Sequence, residues 1–394
     1  MSIMKLLLVI DSHIFKTKDG KYWCKGITDA QFFDRYLKVF DTLKIATRVQ
    51  QMDKVDEKKF LRVDNDKIEM IDIPFARNIK EYIKNYGKIK TEIKKEVLDC
   101  NCIIYRLPSI ISYIGYLACK RQNKPYAVEI VADPEDAYKD YKIIGFVLKQ
   151  MLKKITYRAN GASYVTEKFL QSKYPSRARK KGETKEFFET YYSSIDLKES
   201  FFGTKKDYKN KKEYIVSHTA NISKTMVKGQ DILIKAVGLL CKKGYNLRIK
   251  FIGDSEIKDK YYEIARENGI IDKIVFTGLL PNKVDIRNEL INSDIFVLPT
   301  KSEGLPRSII EAMAVGLPCV STPISGIPEL LPAELLVKQN DYKKFAEIIE
   351  SLIKNPEEME KISERNIEKA KDYEYQILTS RRNEFYEKLK NVRD

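Results

Sequence analysis

The sequence predicts an α/β protein of two domains, each a parallel sheet covered by helices on both faces. Three observations predict it. The chain has 394 residues, and single cores stop growing at about 250–300 residues. Short apolar runs alternate with helical patterns along its length, as strand–helix–strand units do. The alternation falls into two series, separated by the polar, cationic and aperiodic segment Phe202–Lys212, which reads as a linker.

In the first series the candidate strands are Lys5–Ile10, Ile45–Val49, Cys102–Tyr105, Tyr126–Val131 and Ala162–Thr166. The opening run Leu6–Ile10 is too short for the apolar core of a leader peptide or for a membrane span, and reads as a buried first strand. No other segment approaches 18 uninterrupted apolar residues, so a cytoplasmic protein is expected. Ile110–Gln122 has the helical period. So does Tyr141–Ile155, where Ile143, Ile144, Val147, Leu148, Met151, Leu152 and Ile155 form an apolar stripe flanked by Lys142, Lys149, Lys153 and Lys154. That pattern fits a core-facing helix with solvated lysines or a helix lying on a membrane surface. The second series places strands at Tyr214–Ser217, Leu247–Ile252, Lys273–Thr277, Ile295–Pro299 and Pro318–Ser321, with helices at Gln230–Lys242 and Pro306–Val315. From Asp341 onward the chain reads as helix. The expected division is 1–205 for the first domain, 213–375 for the second, and 376–394 for a terminal helix.

Hydrophobic residues make up 43% and charged residues 32% of the chain, which excludes a disordered protein. The net charge of +16 favours anionic partners: nucleic acid, a membrane surface or phosphorylated small molecules. The lysines are dispersed, no arginine-rich tail is present, and no nucleic-acid module is recognisable, so no nucleic-acid partner is expected. With two histidines and six cysteines, of which only Cys100 and Cys102 are close, a zinc site is not expected.

The chemistry is concentrated in VLPTKSEGLPRSIIEAMAVGLPCVSTPISGIPEL, residues 297–330. An apolar strand ends near Pro299, a short loop follows, and a helix begins at about Pro306. The turn Gly304–Leu305–Pro306 puts flexible backbone before a proline suited to a first helical turn. Unclaimed N–H groups and the helix dipole there suit a diphosphate. Glu303 lies in the loop and Glu311 in the helix, about 7–8 Å along its axis at 1.5 Å per residue. The two carboxylates can bracket a diphosphate and accept paired sugar hydroxyls. Glu311 is set in an apolar run, where a merely solvated glutamate is out of place.

The run EGLPRSIIEAMAVGLPCV, residues 303–320, resembles the E-x7-E signature of the retaining glycosyltransferases of family four. VKGQDILIKAVGLL (227–240), IGD (252–254) and TGLLP (277–281) resemble further segments of that family. The resemblance is dense over about 214–375. It implies the GT-B fold, in which two Rossmann-like domains face each other across a cleft, the second holding a nucleotide-diphosphate-sugar donor and the first a glycan or lipid-linked acceptor. It implies that the terminal helix packs back on the first domain. Lys228 is then the cation for the donor diphosphate, Gly229 lets backbone approach, and Glu303 holds donor-sugar hydroxyls. Gly304 and Leu305 offer N–H groups beside Ser302, and Glu311 takes the ribose. No cofactor is implied. The chain has no Asp-x-Asp of the kind that bridges a donor through a metal, so no metal is expected.

The chain also departs from the family. An arginine usual after the strand preceding the lysine is replaced by VSHTANIS (216–223), with His218 or Thr219 near the place, and Arg307 is either a substitute or a surface residue of the first helical turn. In the first domain ADPED (132–136) stands where a His-Gly is common. Asp133 there is either an acceptor-side catalytic group or a turn residue before Pro134, and Arg106, in YRLPS, is a second acceptor-side candidate. Transfer in surface-polysaccharide assembly is the expected function. The alternatives are a nucleotide-sugar epimerase of GT-B fold, or a basic binding protein without turnover.

Overall fold

The computed structural model describes residues 3–25, 28–57, 59–220, 225–280 and 282–392. It consists of two compact units: Met1–Tyr192 together with Thr379–Asp394, and Ser193–Leu378.

The first unit holds strands β1 (Lys5–Thr17), β2 (Tyr22–Cys24), β3 (Thr42–Met52), β4 (Leu61–Arg62), β5 (Ile68–Pro74), β6 (Cys102–Leu107), β7 (Tyr126–Ile130), β8 (Gly161–Tyr164) and β9 (Phe188–Tyr191). A parallel sheet runs β5-β3-β1-β6-β7-β8-β9, with β2 and β4 added antiparallel. β1 is longer than the apolar run Leu6–Ile10 suggests. Its register against β3 shifts between Val9 and His13, and it then continues with Ile14 and Phe15 buried. Beyond the shift it pairs with β2 instead of β6. The polar segment 11–17 is therefore strand, although Ile14 and Phe15 are its only large apolar side chains.

The second unit holds β10 (Tyr214–Thr219), β11 (Leu247–Ile252), β12 (Ile274–Phe276), β13 (Ile295–Leu298) and β14 (Cys319–Ser321), in the order β12-β11-β10-β13-β14, all parallel. The order reverses between β10 and β13, and in open α/β sheets ligands bind beyond the carboxyl ends of the strands at that point.

The units meet in sequence at Tyr192/Ser193 and Leu378/Thr379, which corrects the expected linker. Phe202–Lys212 belongs to the second unit. Tyr208 is buried and donates to the Asp294 carbonyl, and Lys206 donates to the carbonyls of Ile291 and Ser293 at the end of helix Lys283–Ile291. Its cations cap and pack, so polarity and lack of period did not mean a free tether. The helix Tyr375–Lys390 contributes its residues from Thr379 to the first unit, where Leu389, Phe385 and Tyr386 are buried.

The stripe of helix Lys142–Arg158 is divided. Gly145, Leu148, Leu152, Ile155 and Thr156 face the core, whereas Tyr141, Ile143, Phe146 and Val147 are exposed, Ile143 by 82%. Among the described residues no helix is long and apolar enough to cross a membrane, and no His/Cys/Asp/Glu group could hold a metal.

Candidate donor site in the second unit

β10 and β13 deliver two loops to the switch point. The first loop ends in a turn, Met226–Lys228, followed by Gly229 and helix Gln230–Lys242. Gly229 adopts φ 79°, and a Cβ there would collide with the Pro299 carbonyl oxygen. The backbone approach that requires glycine is thus to the protein's own chain at the end of β13, which fixes Lys228 beside the second loop. The loops are tied together: Lys301 N–H donates to the Val227 carbonyl at 2.8 Å, and Thr300 Oγ1 reaches both that oxygen and the Ser302 carbonyl.

Within this frame the Lys228 ammonium forms a short ion pair with Glu303 Oε1, Glu303 being the more buried partner. The two residues expected to serve the diphosphate and the sugar are therefore neighbours, each holding the other. Ser302 and Gly304 are half-buried, Leu305 is buried, and the Gly304 carbonyl accepts from Gly326 N–H.

Helix Arg307–Ala314 starts one residue later than expected, with Pro306 as its N-cap. No side chain caps it and no acidic residue occupies its first turn, so its first N–H groups are open to an anion. Arg307 sits at the first helical position. One turn on, the Glu311 carboxyl makes no hydrogen bond or ion pair with the described residues. Burial pushes its pKa up, against the opposing pull of Arg307 and Lys283. Lys283, at the start of its helix, is held by Asp196. It was not singled out from sequence, since it lies 28 positions from Glu311 in an ordinary polar run. A carboxylate kept largely dry and unpaired is poised to accept from hydroxyls that arrive with a ligand.

His218 does not occupy the place of a diphosphate cation. It is 1% exposed in β10, its Nδ1–H donates to the Val297 carbonyl at 2.8 Å, and burial lowers its pKa to about 4, so the ring is neutral. The adjoining Asn221–Ser223 of the VSHTANIS run, and Pro281 of TGLLP, lie outside the described residues.

In the first unit Asp133 is fully buried. It caps a short helix through Glu135 N–H, accepts from Tyr174 Oη at 2.9 Å and is ion-paired with Lys173. That saturated carboxylate cannot meet an acceptor, which corrects its reading as a catalytic group. Arg106, on β6, pairs at 2.6 Å with Glu129 of β7. Glu129 is also buried and accepts from the hydroxyls of Tyr36, Tyr192 and Tyr386.

The chain is similar to known proteins in sequence and in fold. The family described as Glycosyl transferases group 1 matches residues 202–369. Protein CapJ of Staphylococcus aureus is 30% identical over 355 residues, 88% of this chain and 85% of that protein. The amylovoran biosynthesis glycosyltransferase AmsK of Erwinia amylovora is 31% identical over 134 residues, 32% of this chain and 33% of its own. Anabaena HepE, solved in complex with UDP and glucose, aligns with a TM-score of 0.65 at 14% identity, over 96% of this chain and 97% of the other.

Proposed function

Since the chain belongs to the group 1 glycosyl transferases and has their GT-B fold, we propose that it transfers a sugar, with retention, from a nucleotide-diphosphate-sugar to a glycan or lipid-linked glycan in surface-polysaccharide assembly. The observation that carries this is the Lys228–Glu303 pair beside an uncapped helix start and the unpaired Glu311, all at the switch point of the second sheet. HepE was solved with UDP and glucose, and AmsK is named for amylovoran biosynthesis; both support the donor class and the kind of product.

In the reaction the bond from the anomeric carbon to the β-phosphate oxygen breaks, and its electron pair leaves with the diphosphate. The acceptor hydroxyl oxygen forms the new bond on the same face, and its proton passes to the departing phosphate. Lys228 and the N–H groups at the start of Arg307–Ala314 stabilise the growing charge, which is electrostatic catalysis by groups already in position. Glu303, drawn off Lys228 by the incoming phosphate, turns to the sugar hydroxyls, and Glu311 takes the ribose. Ser302, Gly304 and Leu305 supply the loop between them, and Arg307 adds positive charge at the helix start. No metal or cofactor takes part.

The acceptor is met at the inner face of a membrane. Exposed Tyr141, Ile143, Phe146 and Val147 lie among exposed Lys139, Lys142, Lys153 and Lys154, and that combination is complementary to anionic lipid. The six cysteines, five of them buried, suit a reducing compartment. Incubation with a panel of nucleotide sugars and lipid-linked acceptors tests the reading: release of nucleoside diphosphate that depends on acceptor supports it. An isomerised nucleotide sugar with no acceptor consumed would replace it with epimerisation.

A further inference from the structure

Beyond its pairing with β6, which ends at Val9 and Tyr105, β1 carries a polar and aromatic ledge. Its register against β3 shifts between Val9 and His13. The shift is pinned by Thr47, whose buried hydroxyl accepts from Ser12 N–H at 2.9 Å and donates to the Ser12 carbonyl at 2.8 Å. Such irregularities re-aim side chains and recur beside binding sites. Past the shift His13 pairs with Arg48 and Phe15 with Gln50, and Arg48 pairs in turn with Ile73 of β5, so these residues share one face of the sheet. Phe75, two residues past Ile73, completes the face. The His13 ring lies between Phe15 and Phe75, 4.2 and 4.5 Å from their centroids, and the Arg48 guanidinium stands 5.8 Å from the Phe75 centroid.

Phe15 is buried, but Asp11, His13, Arg48, Gln50 and Phe75 are half-buried, and their hydrogen-bonding capacity is only partly used. His13 Nε2–H donates to Gln50 Oε1 at 2.8 Å, which leaves Nδ1 as an acceptor. Burial lowers the His13 pKa below its usual 6.5, helped by Arg48 and Lys25 and opposed by the Gln50 bond and Asp11, so the ring is neutral at pH 7. The Gln50 amide N–H groups make no hydrogen bond with the described residues. Asp11 Oδ1 and Arg48 Nε are 2.8 Å apart, close enough for an ion pair, yet both atoms are buried without an aligned hydrogen bond. Native proteins leave few buried polar atoms in that state without a functional reason. The ledge thus alternates rings with hydrogen-bonding groups, and its central cation already faces a carboxylate. That pattern complements a neutral saccharide, whose C–H faces lie on rings while its hydroxyls donate and accept; an anionic ligand would meet the Asp11 charge. The place also suits a ligand, since β1 stands beside β6 where the first sheet reverses its order.

We propose that His13, Arg48, Gln50 and Phe75 form a binding site for a neutral saccharide in the first unit. Its role as the seat of the sugar acceptor rests on the transfer reading above; the binding itself does not.

Saturation-transfer NMR on the full chain is the test, with methyl β-glucoside, methyl β-galactoside and methyl N-acetyl-β-glucosaminide titrated against wild type, His13→Ala, Gln50→Ala and Lys228→Ala. At least one glycoside should bind wild type, and His13→Ala and Gln50→Ala should each weaken it about two- to tenfold, the loss expected for a neutral hydrogen bond. Lys228→Ala should bind it as wild type, which separates this site from the donor loops. UDP binding, measured in parallel by calorimetry, should be unaltered by Gln50→Ala. If His13→Ala loses UDP binding as well, its fold is damaged and Gln50→Ala decides alone. No glycoside bound by wild type, or equal binding by wild type and Gln50→Ala, overturns the site. So does tighter binding of methyl β-glucuronide than of every neutral glycoside, which would make it an anion site. Gln50-dependent binding without sugar transfer to the bound glycoside from any nucleotide sugar would keep the site and remove its acceptor role.

Discussion

Glu303 and Glu311 are eight residues apart, yet one is ion-paired and the other is not, and their substitutions should fail differently. On the proposed reading Glu303→Gln removes contacts that tighten as the sugar becomes cationic, so it should lower kcat by about tenfold to 150-fold, the equivalent of 1.5–3 kcal/mol. On the same reading Glu311→Gln removes a ribose contact alike in ground and transition states and should chiefly raise donor KM by a similar factor. Lys228→Ala should harm both constants and weaken UDP binding. Glu303→Gln should keep or tighten it, since Lys228 loses its competing carboxylate. Calorimetry with UDP on the three variants decides; loss in Glu303→Gln with retention in Glu311→Gln would reverse the assignment. His218 provides a second check. Its folded pKa of about 4 lies below the usual 6.5, so the unfolded chain binds the extra proton first. The stability that the neutral ring contributes is complete above about pH 6.5 and is lost as pH falls toward 4, by up to roughly 3 kcal/mol. Urea unfolding across that window should be less acid-sensitive in His218→Gln; equal slopes would contradict the buried neutral ring. The loop at Glu303 and the helix carrying Glu311 were legible because spacing, apolar context and a terminal proline acted together. Asp133 was misread because an aspartate before proline looks the same whether it caps a buried turn or faces a cleft.

Among the elements, buried parallel strands such as β13 were read closely from their continuous apolar runs. The extensions of β1 and β3, and the strands β5 and β9, escaped because their few apolar side chains stand among polar ones and give a weak pattern. Helix Lys142–Arg158 shows the opposite limit: one stripe serves the core at Leu148, Leu152 and Ile155 and leaves Ile143, Phe146 and Val147 outside. The double substitution Ile143→Ser, Phe146→Ser should therefore hold Tm within about 1–2 °C of wild type while reducing recovery on anionic vesicles, each nearby lysine being worth about 1 kcal/mol there. Equal recovery of wild type on anionic and neutral vesicles would exclude lipid docking, and a large fall in Tm would show that this face is core.

For the whole molecule, two α/β units could be read from alternation alone, but their borders could not. Phe202–Lys212 looked like a tether because its anchors, Asp294 and the end of helix Lys283–Ile291, lie more than 80 residues on. Trypsin should accordingly cut slowly at Lys205 and Lys206 in the native protein; rapid cleavage there would contradict the packing of Tyr208. Deleting Thr379–Asp394 takes Phe385, Tyr386 and Leu389 from the first unit. At about 1.5–3 kcal/mol per buried large side chain, that approaches the 5–15 kcal/mol of a typical fold. Calorimetry should show one of two transitions lost; two intact transitions would make the segment dispensable.

The same segment sets a timetable for synthesis. Residues 1–192 leave the ribosome well before Thr379, and the 186 residues of the second unit come between. At about 5–20 residues per second, the nascent first unit waits roughly ten to forty seconds for Tyr386 to reach the Glu129 carboxylate and for Phe385 to cover Phe188. During that delay a charged side chain and an aromatic patch stand open to solvent, as a ready substrate for chaperones. The second unit, made of one uninterrupted stretch, can close as soon as it emerges.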